Sequence, residues 1–125
     1  MFFFKSKQER NWEKLKKNIM EAHKMVFNDP KRAELVEAIM GATNVPSDDI
    51  TLDEALAILV AYHVNWSSGG GFETGSAQWE AFIAFVISIE FNHALQPSEK
   101  MSADRAKELA KRCNYLFVNI LRKQA

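Results

Sequence analysis

The segment from Ala77 to Leu95 constrains the fold more than any other part of the chain. Placed at 100° per residue, its apolar side chains Trp79, Phe82, Ile83, Phe85, Val86, Ile87, Ile89 and Phe91 go almost all the way round a helix. A helix without a polar face has to be enclosed by other elements, so the pattern predicts a central helix. Ala81, Ala84, Ser88 and Asn92 add a stripe of small residues along which a neighbour can approach closely. The charge-free run within this segment, Ala81 to Ile89, is nine residues long, too short to cross a bilayer. A strand over Phe82 to Phe91 would fit the same short apolar run, but no partner strands are visible elsewhere.

The other segments supply the enclosing helices. From Ser6 to Phe27, Trp12, Leu15, Ile19, Ala22 and Val26 share one face, and Lys7, Arg10, Lys14, Lys17 and Lys24 share the opposite one. Asn28-Asp29-Pro30 ends that helix and starts a short one from Pro30 to Met40, with Asp29 as N-cap, Pro30 at the first helical position and Gly41 as the stop. Thr51 with Glu54 three residues later is a capping box, so a third helix begins at Leu52 and buries Leu52, Leu56, Leu59, Val60 and Trp66. Ser102 caps a last helix from Ala103 to Lys123. Its apolar arc is Ala106, Leu109, Ala110, Cys113, Phe117, Ile120 and Leu121; the opposite arc carries Asp104, Arg105, Lys107, Lys111, Arg112 and Arg122. A chain of 125 residues suits one domain with its own core. The expected fold is an all-α, single-domain bundle over residues 1–125, of four long helices and one short one. Residues 1–5 form a flexible aromatic segment, and residues 67–76 form a flexible glycine-rich loop.

Glu90 and His93 are the most unusual side chains. Three positions apart on the apolar fourth helix, both are expected to point into the core and to pair with each other or with a third polar group. The spacing Glu-x-x-His also occurs in carboxylate-bridged di-iron bundles, which need a second copy of the motif; this chain has only one. His63 lies on an apolar face near the end of the third helix. In an antiparallel hairpin it stands level with about Glu80, roughly 15 Å from Glu90 at ~1.5 Å per residue, far beyond ligand-bond reach. His63 therefore reads as a core histidine, and no metal and no cofactor are expected. Cys113 falls in the buried arc of the last helix, where a thiol is inert rather than nucleophilic. The glycines of the 67–76 loop resemble a phosphate-binding loop only in spacing, because Ser76 stands where the lysine belongs.

Charge is unevenly distributed. The 16 Lys and Arg balance 16 Asp and Glu, yet residues 1–28 carry a net +4, residues 29–91 a net −8 and residues 92–125 a net +4. A net charge of zero argues against a nucleic-acid partner. The split predicts complementary faces, which favour a protein partner or a second copy of the chain as a homodimer. The interaction candidates are Phe2, Phe3, Phe4 and Phe72 together with Lys7, Arg10, Lys14 and Lys17. The lone cysteine and the lack of a visible signal peptide point to the cytoplasm.

No constellation of residues names a reaction. The first expectation is a non-enzymatic, self-associating interaction or regulatory module. An alternative is an enzyme or a ligand- or metal-binding bundle with a pocket around Glu90 and His93, with His63 as a further candidate. A third is a membrane-surface protein held by Phe2, Phe3, Phe4 and the basic first helix.

Overall fold

Serine caps and short turns define the helices in the computed structural model, which describes residues 6–41, 50–67, 72–95 and 98–122. Ser6 Oγ accepts from the Glu9 N–H at 3.1 Å and starts α1, Lys7–Asn28. Asp29 Oδ1 then accepts from the Lys31 N–H at 2.8 Å, so this aspartate caps a turn rather than the helix itself. Helix α2, Arg32–Met40, accordingly begins two residues beyond Pro30 and has no side-chain cap. The capping box forms as expected: Thr51 N–H donates to Glu54 Oε1 at 3.0 Å and Glu54 N–H to Thr51 Oγ1 at 3.2 Å, opening α3, Leu52–Ser67. Ser76 Oγ accepts from the Trp79 N–H and opens α4, Ala77–Ile89. Gly75 just before it has φ +86°, a left-handed conformation that an L side chain would strain. Ser102 Oγ accepts from the Arg105 N–H and opens α5, Ala103–Leu116.

Two helices widen before they end. After Ile89, α4 continues as a π-helical turn, Glu90–Ala94, with the Leu95 N–H donating to Glu90 O at 3.0 Å. A second π turn, Phe117–Leu121, continues α5. Single π turns inside helices often mark functional positions, because the extra residue per turn redirects the side chains that follow.

The five helices form one all-α domain, with no strand among the described residues. The central element is α3, not α4. Every residue from Glu54 to Ala61 is buried, and α3 packs against α1, α2, α4 and the π turn after α4. Ala55, Ala57 and Ala61 are fully buried and small, which lets neighbours close on α3 from several sides. Helix α4 instead lies between α3 and α5 and leaves Phe85 46% exposed. Its all-round apolarity thus overstated its enclosure. Leu52 and Trp66, at the two ends of α3, are also exposed rather than buried. Trp12 is partly exposed and lies against Phe85, ring centroids 5.5 Å apart.

In α5 the expected apolar arc is largely buried, including Cys113, while Ile120 is only half-buried. Arg112, expected on the polar arc, is buried as well and pairs with Glu108. The glycine-rich loop is described only from Phe72 onward, where Ser76 N–H donates to Glu73 O and the Phe72 ring lies 6.0 Å from that of Phe82. Phe2, Phe3 and Phe4 lie outside the described residues. Among the described residues no helix is long and apolar enough to cross a membrane.

Candidate functional site in the cleft between α1 and α4

The last turns of α1 and the π turn after α4 meet at a cleft of about 320 Å³. Ile19, Met20, Ile89 and Ala94 give it apolar walls, and the exposed Lys16 and Lys24 border it. His23, Glu90 and His93 also line it.

Glu90 is the unusual member. Its side chain is 0% exposed, yet it is the first residue of a π turn and carries a carboxyl group. His23 Nδ1 and Glu90 Oε2 are hydrogen-bonded to each other. Oε1 of the same carboxyl has no hydrogen-bond partner. A buried polar atom without a partner costs about 1–3 kcal/mol, so its presence in a native fold calls for an explanation. Burial pushes the Glu90 carboxyl above its ordinary range, and the hydrogen bond and charge of His23 pull it part of the way back.

His23 is positioned from both sides. Its ring stacks on Phe27 with centroids 4.3 Å apart, and Arg32 lies over the other ring of that stack, 5.2 Å from the Phe27 centroid. Arg32 also donates to Phe27 O at 2.9 Å, which ties the start of α2 to the end of α1. With Nδ1 committed to Glu90, the Nε2 edge of His23 is the one left to interact with anything else.

The sequence-derived candidates separate in space. Glu90 and His93 border one cleft, but they are not each other's partners, and His93 is exposed. The π turn is the reason. A wider turn puts less rotation between successive residues, so a residue three positions after Glu90 does not return to its face as it would in an α-helix. His63 lines a different cavity, with Asp29, Leu35, Leu59 and Tyr62, and stands edge-on to the Tyr62 ring. Burial lowers its pKa, and the Asp29 carboxylate partly offsets that. Among the described residues no three His, Cys, Asp or Glu side chains form a metal-ligand group. Burial also pushes the Cys113 thiol well above its ordinary range, which removes its thiolate character.

Lys7, Arg10, Lys14 and Lys17 are all exposed along α1. Phe72 borders a further surface pocket with Trp66 and Val118, over Tyr62 and Phe117. That apolar patch was only partly anticipated, through Phe72.

His23 was missed altogether. Its spacing carries a usable signal: four residues after Ile19 and three before Val26, it falls on the buried face of α1. Two further polar devices were also missed. Arg105 donates from Nε and Nη2 to the two oxygens of buried Glu54, at 2.6 and 2.9 Å, joining α5 to α3. Asn92 clamps the chain before α5, accepting from the Met101 N–H at 2.7 Å and donating to Met101 O at 3.3 Å.

Fold and site together define a small all-α domain with a polar-floored, apolar-walled cleft between α1 and the end of α4. No protein-family model, no curated protein and no solved structure matches the chain.

Proposed function

We propose that this protein is a small helical binding protein that takes a ligand into the cleft between α1 and the end of α4. The observation that carries the reading is Glu90 Oε1, a fully buried oxygen without a partner beside a cleft of ligand size. Apolar walls with a few convergent polar groups are the common make-up of small-molecule sites. The test is a fragment screen by amide NMR on the full chain. Binding should shift the resonances of Ile19, His23, Ile89 and Ala94 together, and Ala94→Trp should abolish those shifts by filling the cleft. Fragments that shift none of these residues, across neutral, acidic and basic chemistries, would remove the reading.

A second reading, a cytoplasmic interaction module that pairs with itself or another protein, is supported by a different surface. Trp66 is 64% exposed, Val118 47% and Phe72 41%, and all three border one surface pocket. Exposed aromatic groups clustered in this way are typical of contact sites. The exposed basic residues Lys7, Arg10, Lys14 and Lys17 of α1 and the acidic middle of the chain supply complementary charge. Sedimentation across a concentration series separates this reading from the first, since ligand binding in the cleft does not require a dimer.

A further inference from the structure

We propose that the cleft between α1 and the end of α4 takes an anionic amphiphile, an extended acyl chain that ends in a carboxylate. This rests on the reading of the cleft as a ligand site and adds the chemistry that its mouth and walls select.

Charge at the mouth sets the head group. The ionisable side chains lining the cleft belong to Lys16, His23, Lys24, Glu90 and His93. Those that reach solvent are basic residues: Lys16, Lys24 and His93 are exposed, and His23 is 30% exposed. Glu90, the one acid in the lining, is 0% exposed and has Oε2 engaged by His23, so it presents no carboxylate at the surface. The two lysines stand eight residues apart on α1, about 12 Å along the helix axis, and their positions span the α1 wall. The Lys16 ammonium lies 5.6 Å from the centroid of the Trp12 ring. A cleft bordered by one sign of charge draws in the opposite sign, so an anionic head is attracted and a cationic one repelled.

The walls set the body. Ile19, Met20, Ile89 and Ala94 supply the rest of the lining, and none carries a polar side chain. The apolar surface also continues beyond the cleft. Phe85 lies one turn before Ile89 on α4, its ring is 5.5 Å from that of Trp12, and the two residues are 46% and 39% exposed. Such a track is longer than one ring and suits a flexible chain laid along it. A cleft of about 320 Å³ is at the small end of ligand pockets, which fits a chain of medium length.

Amide NMR titration of the full chain with hexanoate, octanoate and decanoate, each below its micellar concentration, tests this. Octanoate should shift the resonances of Ile19, Met20, Ile89 and Ala94, and affinity should rise at least about fivefold for each added pair of methylenes. At low salt octanoate should bind at least about threefold more tightly than 1-octanol or octylammonium, and the preference should shrink as salt rises. Lys16→Gln combined with Lys24→Gln, both at exposed positions, should abolish that preference. Lys107→Gln with Lys111→Gln, exposed on α5 and outside the cleft lining, should leave it intact. Equal or tighter binding of 1-octanol or octylammonium would overturn the anionic head, and an affinity independent of chain length would overturn the acyl body. Either result leaves the cleft as a ligand site. Shifts confined to other residues, or no binding at millimolar concentration, would overturn the inference; the fragment screen then decides separately whether the cleft binds anything. Sedimentation with phosphatidylserine vesicles in the absence of octanoate binding would overturn it as well, by assigning the same basic and apolar groups to a membrane surface.

Discussion

The hydrogen bond between His23 Nδ1 and Glu90 Oε2 joins residues 67 positions apart and ties α1 to the π turn that ends α4. The two partners differ in their access to water. The His23 side chain is 30% exposed, whereas that of Glu90 is 0% exposed. Loss of either partner is therefore felt unequally, and the asymmetry can be measured.

Removing the histidine should cost more than removing the acid. His23→Ala leaves the Glu90 carboxyl buried with both oxygens unpaired, a loss of about 2–4 kcal/mol. Glu90→Leu leaves His23 able to turn to solvent and replaces a buried polar group by an apolar one, a change that is often near neutral. Glu73→Gln, at an exposed loop position, should cost nothing measurable. Urea denaturation of the three variants checks the order, and a costless His23→Ala would contradict it.

The pH dependence of stability should carry two opposing contributions. The folded state raises the Glu90 pKa above its ordinary 4.5, so it holds that proton more tightly than the unfolded chain does. The resulting stability is fully present below pH 4.5 and is lost as pH rises through the folded value. Glu54 behaves in the opposite sense. Burial would raise its pKa, but the hydrogen bonds from Arg105 and Thr51 and the Arg105 charge outweigh burial and lower it. Its contribution is present above 4.5 and is lost as pH falls through the lowered value. Thermal melts from pH 3 to 8 should therefore show Glu90→Gln flattening the decline on the upper side and Glu54→Gln flattening the acid side.

The Glu54–Arg105 pair should matter more than an ordinary surface ion pair. Both oxygens of Glu54 are engaged, and one of them also accepts from the Thr51 N–H at 3.0 Å. Arg105→Met should cost about 1–3 kcal/mol, below the full penalty for a buried pair because the arginine is partly solvated. A loss under about 0.5 kcal/mol would mean that water replaces the guanidinium without penalty.

Cys113 should be silent in the folded protein. It is fully buried, and burial holds its thiol protonated. Reaction with a thiol reagent such as Ellman's should follow global unfolding, becoming fast only in denaturant. Rapid labelling under native conditions would show that α5 opens locally.

If the Trp66, Phe72 and Val118 surface is a contact site, Trp66→Ser with Val118→Ser should lower self-association without loss of helix. An apolar contact of this kind should persist as salt rises, whereas one driven by the basic and acidic segments should weaken over the same series. Sedimentation velocity at two salt concentrations distinguishes them.

Much of the secondary structure was legible because its signals are local. Ser102 accepts a backbone N–H three residues on, and Thr51 and Glu54 bond reciprocally. These are interactions within one turn of chain, so residue identity and spacing suffice to place them. The burial of Ile19, Ala22 and Val26, and of Leu109, Ala110 and Cys113, follows from helical periodicity in the same way.

Tertiary structure alone decided the rest. Hydrophobicity ranked α4 as the central helix, but enclosure depends on which elements surround a helix, and α3 is the one packed against α1, α2, α4 and the π turn after α4. Glu90 was legible as a buried acid, whereas its partner was not. Helical spacing pointed to His93, and the π turn rotates His93 away while the docking of α1 brings in His23. Glu54 was read as half of a capping box, which it is; its second role with Arg105 spans 51 positions. Sequence spacing governs contacts within a few residues along a helix. Pairings between helices are set by the packing angle and register of whole elements, which no single segment encodes.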